Sequence, residues 1–109
     1  MNLRPQVLRW LAPAATSLVA AGCATTETAA PLVQSIASAG HAQSQLEQGR
    51  RIYLGKCTAC HAPEPIHKYT QSQWMPIMAE MAQEANLSAP EDAAVRAYIS
   101  SVLQTPKPS

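Results

Sequence analysis

The chain has 109 residues and a formal net charge of +1, which leaves room for one small domain and lacks the basic excess that nucleic-acid binding requires. Apolar residues make up 47% of the chain, but it has no Phe and only two Trp and three Tyr, so a core built from protein side chains alone would be thin. The three cysteines are too few for a disulfide framework: Cys23 is isolated, whereas Cys57 and Cys60 form a close pair.

Residues 1–22 have the layout of an export signal. Two arginines give a basic start, and the uncharged stretch 10–21 follows. This stretch is short for a bilayer span and is interrupted by Pro13, which argues against a transmembrane anchor. A plain secretory signal that happens to contain a cysteine remains an alternative.

The end of this segment carries a second feature, a run of small residues directly before a cysteine, Val19-Ala20-Ala21-Gly22-Cys23. The run resembles a bacterial lipoprotein signal. That resemblance implies cleavage before Cys23 and acylation of its sulfur and its new amino group, and Ala24 in the next position implies the outer membrane. We therefore expect an exported protein attached to the periplasmic face of a membrane, with the outer membrane favoured.

Residues 23–45 are rich in Ala, Thr, Ser and Gln and are predicted to form a lipid-anchored flexible linker, with a short helix possible around 31–39. Without residues 1–22 the chain keeps six basic and seven acidic residues, a formal charge of −1.

The second half contains Cys57-Thr58-Ala59-Cys60-His61, a C-x-x-C-H motif typical of c-type haem attachment. The spacing lets two thiols add to the vinyl groups on one porphyrin edge while the following imidazole reaches the iron. A redox dithiol, a zinc site and a simple disulfide are the competing interpretations. No βαβ pattern surrounds the cysteines, as a redox dithiol would lead one to expect, and a zinc site would need further ligands. A simple disulfide does not account for His61.

Helical periodicity surrounds the motif and predicts an all-α domain over residues 46–105, followed by a tail, 106–109. The first helix begins near Ser44, the second spans about 70–86, and the third begins at a capping box formed by Ser88 and Glu91. The apolar positions of the first and third helices at helical spacing are Leu46, Gly49, Ile52, Tyr53, Val95, Tyr98, Ile99, Val102 and Leu103.

Over residues 44–105 the chain resembles the class I c-type cytochromes, on the C-x-x-C-H motif and the flanking Gly49, Tyr53 and Tyr98. The resemblance implies a small cytochrome c fold, with three main helices around one covalently attached haem c and with Gly49 packed on Tyr98. It is similar to short single-haem forms in which a helix led by Trp ends in Met. Some of these accept electrons from periplasmic dehydrogenases.

The iron ligands follow from the motif and the resemblance. His61 is the expected proximal ligand, with its Nδ1 proton held by a backbone carbonyl of residues 63–66. Met81 is the favoured sixth ligand, because the resemblance places the axial Met at the end of the Trp-led helix. Met78, Met75, His67 and an open site remain alternatives. Trp74 is expected to pack on the haem or to donate its indole proton to a propionate.

These residues predict an electron carrier that is not itself an enzyme, whose iron cycles between Fe(II) and Fe(III) with His/Met ligation. The expected partners are a redox protein, such as a periplasmic dehydrogenase or a terminal oxidase, and the membrane. A small-ligand binder or sensor with an open or displaceable sixth site is the alternative. Four basic residues near the motif offer a surface for an acidic partner: Arg50, Arg51, Lys56 and Lys68.

Overall fold

A computed structural model of the chain describes residues 22–107, with side chains described from Thr26 onward. This part of the chain is all-helical and has no strand, which confirms the predicted all-α class. The helices are α1 (Gly22–Ala29), α2 (Gln43–Gly55), α3 (Gln71–Glu84) and α4 (Ala89–Gln104), with 3₁₀ turns at Val33–Ser35 and Ile66–Lys68. The predicted signal up to residue 21, the side chain of Cys23 and residues 108–109 lie outside the described part. No helix in that part is long and apolar enough to cross a membrane.

Helices α3 and α4 begin with reciprocal side-chain caps. The Thr70 hydroxyl accepts a hydrogen bond from the Gln73 backbone N–H, and the Gln73 side chain accepts one from the Thr70 N–H. Ser88 and Glu91 form the same capping box at α4, as the sequence predicts. These caps fix where each helix begins.

The start of α2 differs from its prediction. The N-cap is Ala42, which has no side-chain cap, and Ser44 lies inside the first turn. The Ala42 carbonyl accepts the backbone N–H of Leu46, whose side chain is buried. Burial of Leu46, rather than a hydroxyl cap, therefore accompanies the start of this helix.

The core lies where α2 crosses α4. The two helices share the largest interface of the described part, and Gly49 lies at the crossing. A Cβ built on Gly49 would overlap the Ala94 carbonyl oxygen and lie 2.8 Å from Cβ of Tyr98, so only glycine allows this close approach. The predicted packing of Gly49 on Tyr98 is confirmed.

Aromatic side chains extend the core from this crossing towards α3. The Tyr53 ring packs against Tyr98 at 6.4 Å and edge-on against Trp74 at 6.3 Å, measured between ring centroids. Tyr69 adds an edge-on contact with Trp74 at 5.3 Å. The aromatic side chains of the described residues are therefore concentrated in one connected cluster, where aromatic pairs contribute beyond their buried area.

Residues 29–38, assigned from sequence to the flexible linker, lie against α2 and α4, and we call them the docked strap. Its residues Ala29, Ala30 and Val33 are buried. Four hydrogen bonds tie it to the two helices: Arg50 Nε to the Ala30 carbonyl (3.1 Å), Tyr98 hydroxyl to the Pro31 carbonyl (2.7 Å), Ala37 N–H to Thr105 Oγ1 (2.8 Å) and Ser101 Oγ to the Ser38 carbonyl (3.3 Å). The packed body thus begins near residue 29, well before residue 46.

Candidate cofactor site

The C-x-x-C-H motif follows directly from the end of α2. The Cys57 backbone N–H donates to the Ile52 carbonyl at 3.2 Å, and the Thr58 hydroxyl donates to the Leu54 carbonyl at 2.6 Å. The motif is therefore held against the last turn of the helix. The Cys57 side chain is buried, whereas Cys60 is exposed, and both thiols are free. Burial, with a smaller contribution from the Asp92 carboxylate, raises the pKa of the Cys57 thiol.

His61 is exposed, and its Nδ1 lies 2.8 Å from the Ala62 carbonyl oxygen. Because a carbonyl oxygen only accepts hydrogen bonds, this contact places a proton on Nδ1, and in the neutral imidazole the lone pair then lies on Nε2. That tautomer is the one a metal-binding histidine needs. The carbonyl that accepts the Nδ1 proton belongs to Ala62, one residue before the segment 63–66 in which the sequence predicts this acceptor.

The loop after the motif is fixed by two buried rings. The indole N–H of Trp74 donates to the Ile66 carbonyl at 2.8 Å, and the Tyr53 hydroxyl donates to the Glu64 carbonyl. Burial raises the pKa of the Tyr53 phenol far above its usual range, with the Glu64 carboxylate adding to the shift, so the hydroxyl remains a donor. The Trp74 proton, for which a haem propionate was one expected acceptor, is thus taken by the protein backbone.

A cleft opens between the motif and α3. One part has a volume of about 280 Å³ and includes Tyr53, Tyr69 and Trp74 among its lining residues. A neighbouring part of about 360 Å³ includes Cys57 and Cys60. The two parts share His61, Met81 and Glu84 as lining residues, and we call them together the motif cleft. Both cysteines, the histidine and one methionine therefore line the motif cleft, with the cysteines in one part, the aromatic rings in the other, and His61 and Met81 in both.

The structure separates the candidates for a sixth ligand. Met81 is partly buried and lines both parts of the motif cleft. Met78 is buried on the other side of Trp74, where it lines a separate cavity of about 180 Å³. Met75 lines the same cavity and is 60% exposed. His67 lies in the 3₁₀ turn and lines neither part of the cleft. Of these four residues, Met81 is the one placed in the same cleft as His61.

Charge in the aromatic part of the motif cleft is acidic, whereas Lys56 lines the part with the cysteines. Glu64, Glu80 and Glu84 line its aromatic part, which no lysine or arginine lines. Two of the four basic residues near the motif are already paired. Lys56 contacts Glu91 at 2.5 Å and lowers the pKa of that carboxyl, and Lys68 contacts Glu64 at 2.9 Å, which raises the pKa of Lys68. These pairs weaken the expectation of a free basic surface for an acidic partner.

The residues of the motif cleft fit a c-type haem. Two free thiols and an imidazole with its Nε2 lone pair available stand at the edge of a space walled by three aromatic rings, and a thioether lines the same space. Among the described residues no three His, Cys, Asp or Glu side chains converge in a way that could hold a bare metal ion. One histidine with one methionine is the ligand set that haem iron takes in cytochromes c.

Sequence reasoning missed part of this cleft. Tyr69, Glu80 and Glu84 also line it. The signal for the two glutamates was present, because Glu84 lies three positions after Met81 and Glu80 lies four positions before Glu84, so they share one side of the helix. Tyr69 carried no comparable signal, since its place depends on how the proline-containing loop folds.

The hydrogen bond between Trp74 and the loop gives a direct test of this local structure. We expect Trp74→Phe to destabilise the protein by about 1–3 kcal/mol, because it leaves the Ile66 carbonyl without its partner and removes part of a buried ring. Denaturant unfolding of the full chain measures the change. Met75→Leu, at the adjacent exposed position, serves as the matched control, and an equal effect in both variants would contradict the assignment.

The chain was compared with protein-family models, curated proteins and solved structures. No protein-family model, no curated protein and no solved structure matches this chain.

Proposed function

We propose that this protein transfers electrons as a monohaem c-type cytochrome, exported and anchored to the periplasmic face of a membrane through Cys23. The observation that carries the proposal is the motif cleft, in which His61 and Met81 line both the part with Cys57 and Cys60 and the part walled by aromatic rings. The all-helical fold with Gly49 packed on Tyr98 also agrees with the resemblance to class I c-type cytochromes.

Each residue of the cleft would have a distinct part in holding the group. Cys57 and Cys60 would form the two thioether bonds, and His61 would bind iron through Nε2, with its Nδ1 proton held by the Ala62 carbonyl. Met81 is the proposed sixth ligand. When bound, the haem supplies an iron that accepts and returns one electron, and a thioether ligand raises its reduction potential.

The protein surroundings suit a carrier that changes little on oxidation. Tyr53 and Trp74 fix the loop after the motif through hydrogen bonds to backbone carbonyls. Their rings also line the cleft. The carboxylates of Glu80 and Glu84 at the cleft would favour a redox partner with a basic docking surface.

The decisive experiment is an absorption spectrum of the full chain, exported in a bacterial host that carries haem-attachment machinery and extracted in detergent. We expect haem that remains attached to the denatured chain, and a weak far-red band in the ferric spectrum that reports iron–Met ligation. The Cys57→Ala/Cys60→Ala double variant is the matched control and is expected to lose the attached haem. Absence of attached haem in the parent protein would overturn the proposal.

A second outcome of the same spectrum would favour a different function. Attached haem without the far-red band would leave the sixth site to His67, to water or to an external ligand. An open site or one that holds only water admits a small molecule and would favour binding or sensing of a small ligand, whereas ligation by His67 would close the site and leave electron transfer in place.

The lipid anchor is tested independently of the haem. We expect Cys23→Ser to move the protein from the membrane fraction to the soluble periplasmic fraction, because stable attachment needs more than one acyl chain and this variant lacks the sulfur that the resemblance assigns as the acylation site. Fractionation with antibody detection measures the shift. Retention of the variant in the membrane would indicate a different mode of attachment, and Ser38→Ala in the docked strap is the control expected to stay membrane-bound.

A further inference from the structure

The docked strap changes how far the body can move from the membrane. With residues 29–38 held against α2 and α4, only the six residues 23–28 separate the proposed anchor from the packed body. That segment spans about 20 Å when extended and about 10 Å as the helix α1. An undocked linker from residue 23 to the start of α2 would span about 70 Å. The strap therefore holds the body beside the lipid surface.

An apolar and basic corner lies where the strap meets α2. Leu32 of the strap is 42% exposed, one of two large apolar side chains with such exposure in the described part of the chain. It lines a cavity of about 220 Å³ together with Arg50 and Arg51, and with Glu47, whose carboxylate accepts a hydrogen bond from Gln43, so the charge of the corner is net positive. The Arg50 guanidinium is bonded to the strap, whereas the Arg51 side chain is exposed and makes no hydrogen bond or ion pair with the described residues. We call Leu32, Arg50 and Arg51 the strap corner.

We infer that the strap corner is the face with which the anchored protein contacts an anionic lipid surface. An exposed apolar side chain beside a free arginine matches the boundary between acyl chains and headgroups, where Leu enters the apolar side and Arg meets phosphate. The position supports this occupant, because Leu32 lies nine residues after Cys23 and three after the point where the chain joins the body. The inference rests on the proposed lipid anchor.

This orientation leaves the motif cleft accessible. Arg51 and Tyr53 lie two residues apart on α2, which places them about 200° apart around the helix. Arg51 is exposed on the strap side, and Tyr53 lines the cleft. A body resting on the strap corner therefore presents its cleft away from the lipid, where a protein partner can reach it.

A spin label on the strap corner tests the inference. In the acylated, haem-loaded chain Cys23, Cys57 and Cys60 are all modified, so Leu32→Cys supplies one free thiol for a nitroxide. The holoprotein is bound to phosphatidylcholine vesicles with and without phosphatidylglycerol, and collision of the label with oxygen is compared with collision with a water-soluble nickel chelate. The matched control is Met75→Cys, at the other exposed apolar position, which neighbours Arg96 in its own cavity.

We expect the ratio of oxygen to chelate collision at position 32 to rise several-fold on vesicles that contain phosphatidylglycerol and to stay unchanged at position 75. Arg51→Glu should abolish most of that rise while the protein still sediments with the vesicles. A label at position 32 that stays equally exposed to the chelate on sedimented protein would overturn the membrane face and leave the anchor intact. Failure to sediment would overturn the anchor, and the inference with it. Haem absorbance of the same sample reports separately on the cofactor.

Discussion

Replacement of Met81 by leucine is expected to abolish the far-red absorption band of the ferric protein and to lower its reduction potential by on the order of 100 mV or more, because the thioether ligand is lost while the side-chain volume is nearly kept. The expectation depends on position. Met81 lines both parts of the motif cleft with His61, whereas the other methionines of α3 do not. Absorption spectroscopy and a redox titration of the haem-loaded chain measure the two effects.

Met78→Leu is the matched control for this experiment. Met78 lies three residues before Met81 but is buried behind Trp74, in the cavity that faces Ile99. We expect a stability loss below about 1.5 kcal/mol, typical of a volume-conserving exchange, and no change in the far-red band. Loss of the band in the Met78 variant with retention in the Met81 variant would reverse the assignment of the sixth ligand.

Replacement of Gly49 by alanine is expected to destabilise the fold by about 3 kcal/mol, because the added methyl group would overlap the Ala94 carbonyl oxygen and press against Tyr98. The clash lies at the crossing of α2 and α4, where neither helix backbone moves without disturbing the core. Alanine has a higher helix propensity than glycine by about 1 kcal/mol, so the expected steric cost at Gly49 outweighs this gain in helix propensity. Denaturant unfolding of the haem-loaded full chain gives the change in free energy.

Gly55→Ala supplies the comparison on the same helix. No atom lies within 4 Å of a Cβ built at Gly55, so we expect the variant to range from neutral to about 1 kcal/mol more stable than the parent. The pair of variants separates steric overlap from helix propensity. Equal stability of the two alanine variants would show that the crossing is looser than the contacts at Gly49 indicate.

The sequence predicted those parts of the fold that depend on local chemistry. Ser88 and Glu91 are three residues apart, which is the spacing of a capping box, and both hydrogen bonds of the box form between these two residues. The all-α class follows from apolar periodicity on either side of the motif. The Gly49–Tyr98 contact came from the family resemblance, since nothing in the spacing of two residues so far apart indicates that they touch.

The packing of the docked strap against the helices could not be predicted from the sequence. Ala29, Ala30 and Pro31 look like linker residues because they carry no periodic apolar pattern. Their binding depends on partners far along the chain, with Tyr98 donating to the Pro31 carbonyl. Small side chains suit this role, because their backbone carbonyls can approach the helices closely. A composition-based boundary cannot detect such a segment.

The candidate site divides in the same way. Cys57, Cys60 and His61 could be proposed from sequence because the C-x-x-C-H spacing is typical of haem attachment. Which methionine lines the motif cleft could not be read from the residues alone, because it depends on how α3 rotates against the loop, and this rotation places Met81 and Met78 on different sides of Trp74. For Trp74 the sequence predicts packing on the haem or donation of its indole proton to a propionate, whereas the structure gives that proton to the Ile66 carbonyl, an acceptor that depends on how the loop turns.

The contact between the docked strap and the end of α4 also constrains the order of folding. The Ala37 N–H bonds to Thr105, and Ser101 bonds to the Ser38 carbonyl, across sequence separations of 68 and 63 residues. Loops of that length close late, after the entropy of the intervening chain has been overcome. The body therefore closes only when its last helix is present, and until then the segment that carries Cys57 and Cys60 lies on an open chain, the state in which the attachment proposed above would meet the least steric hindrance.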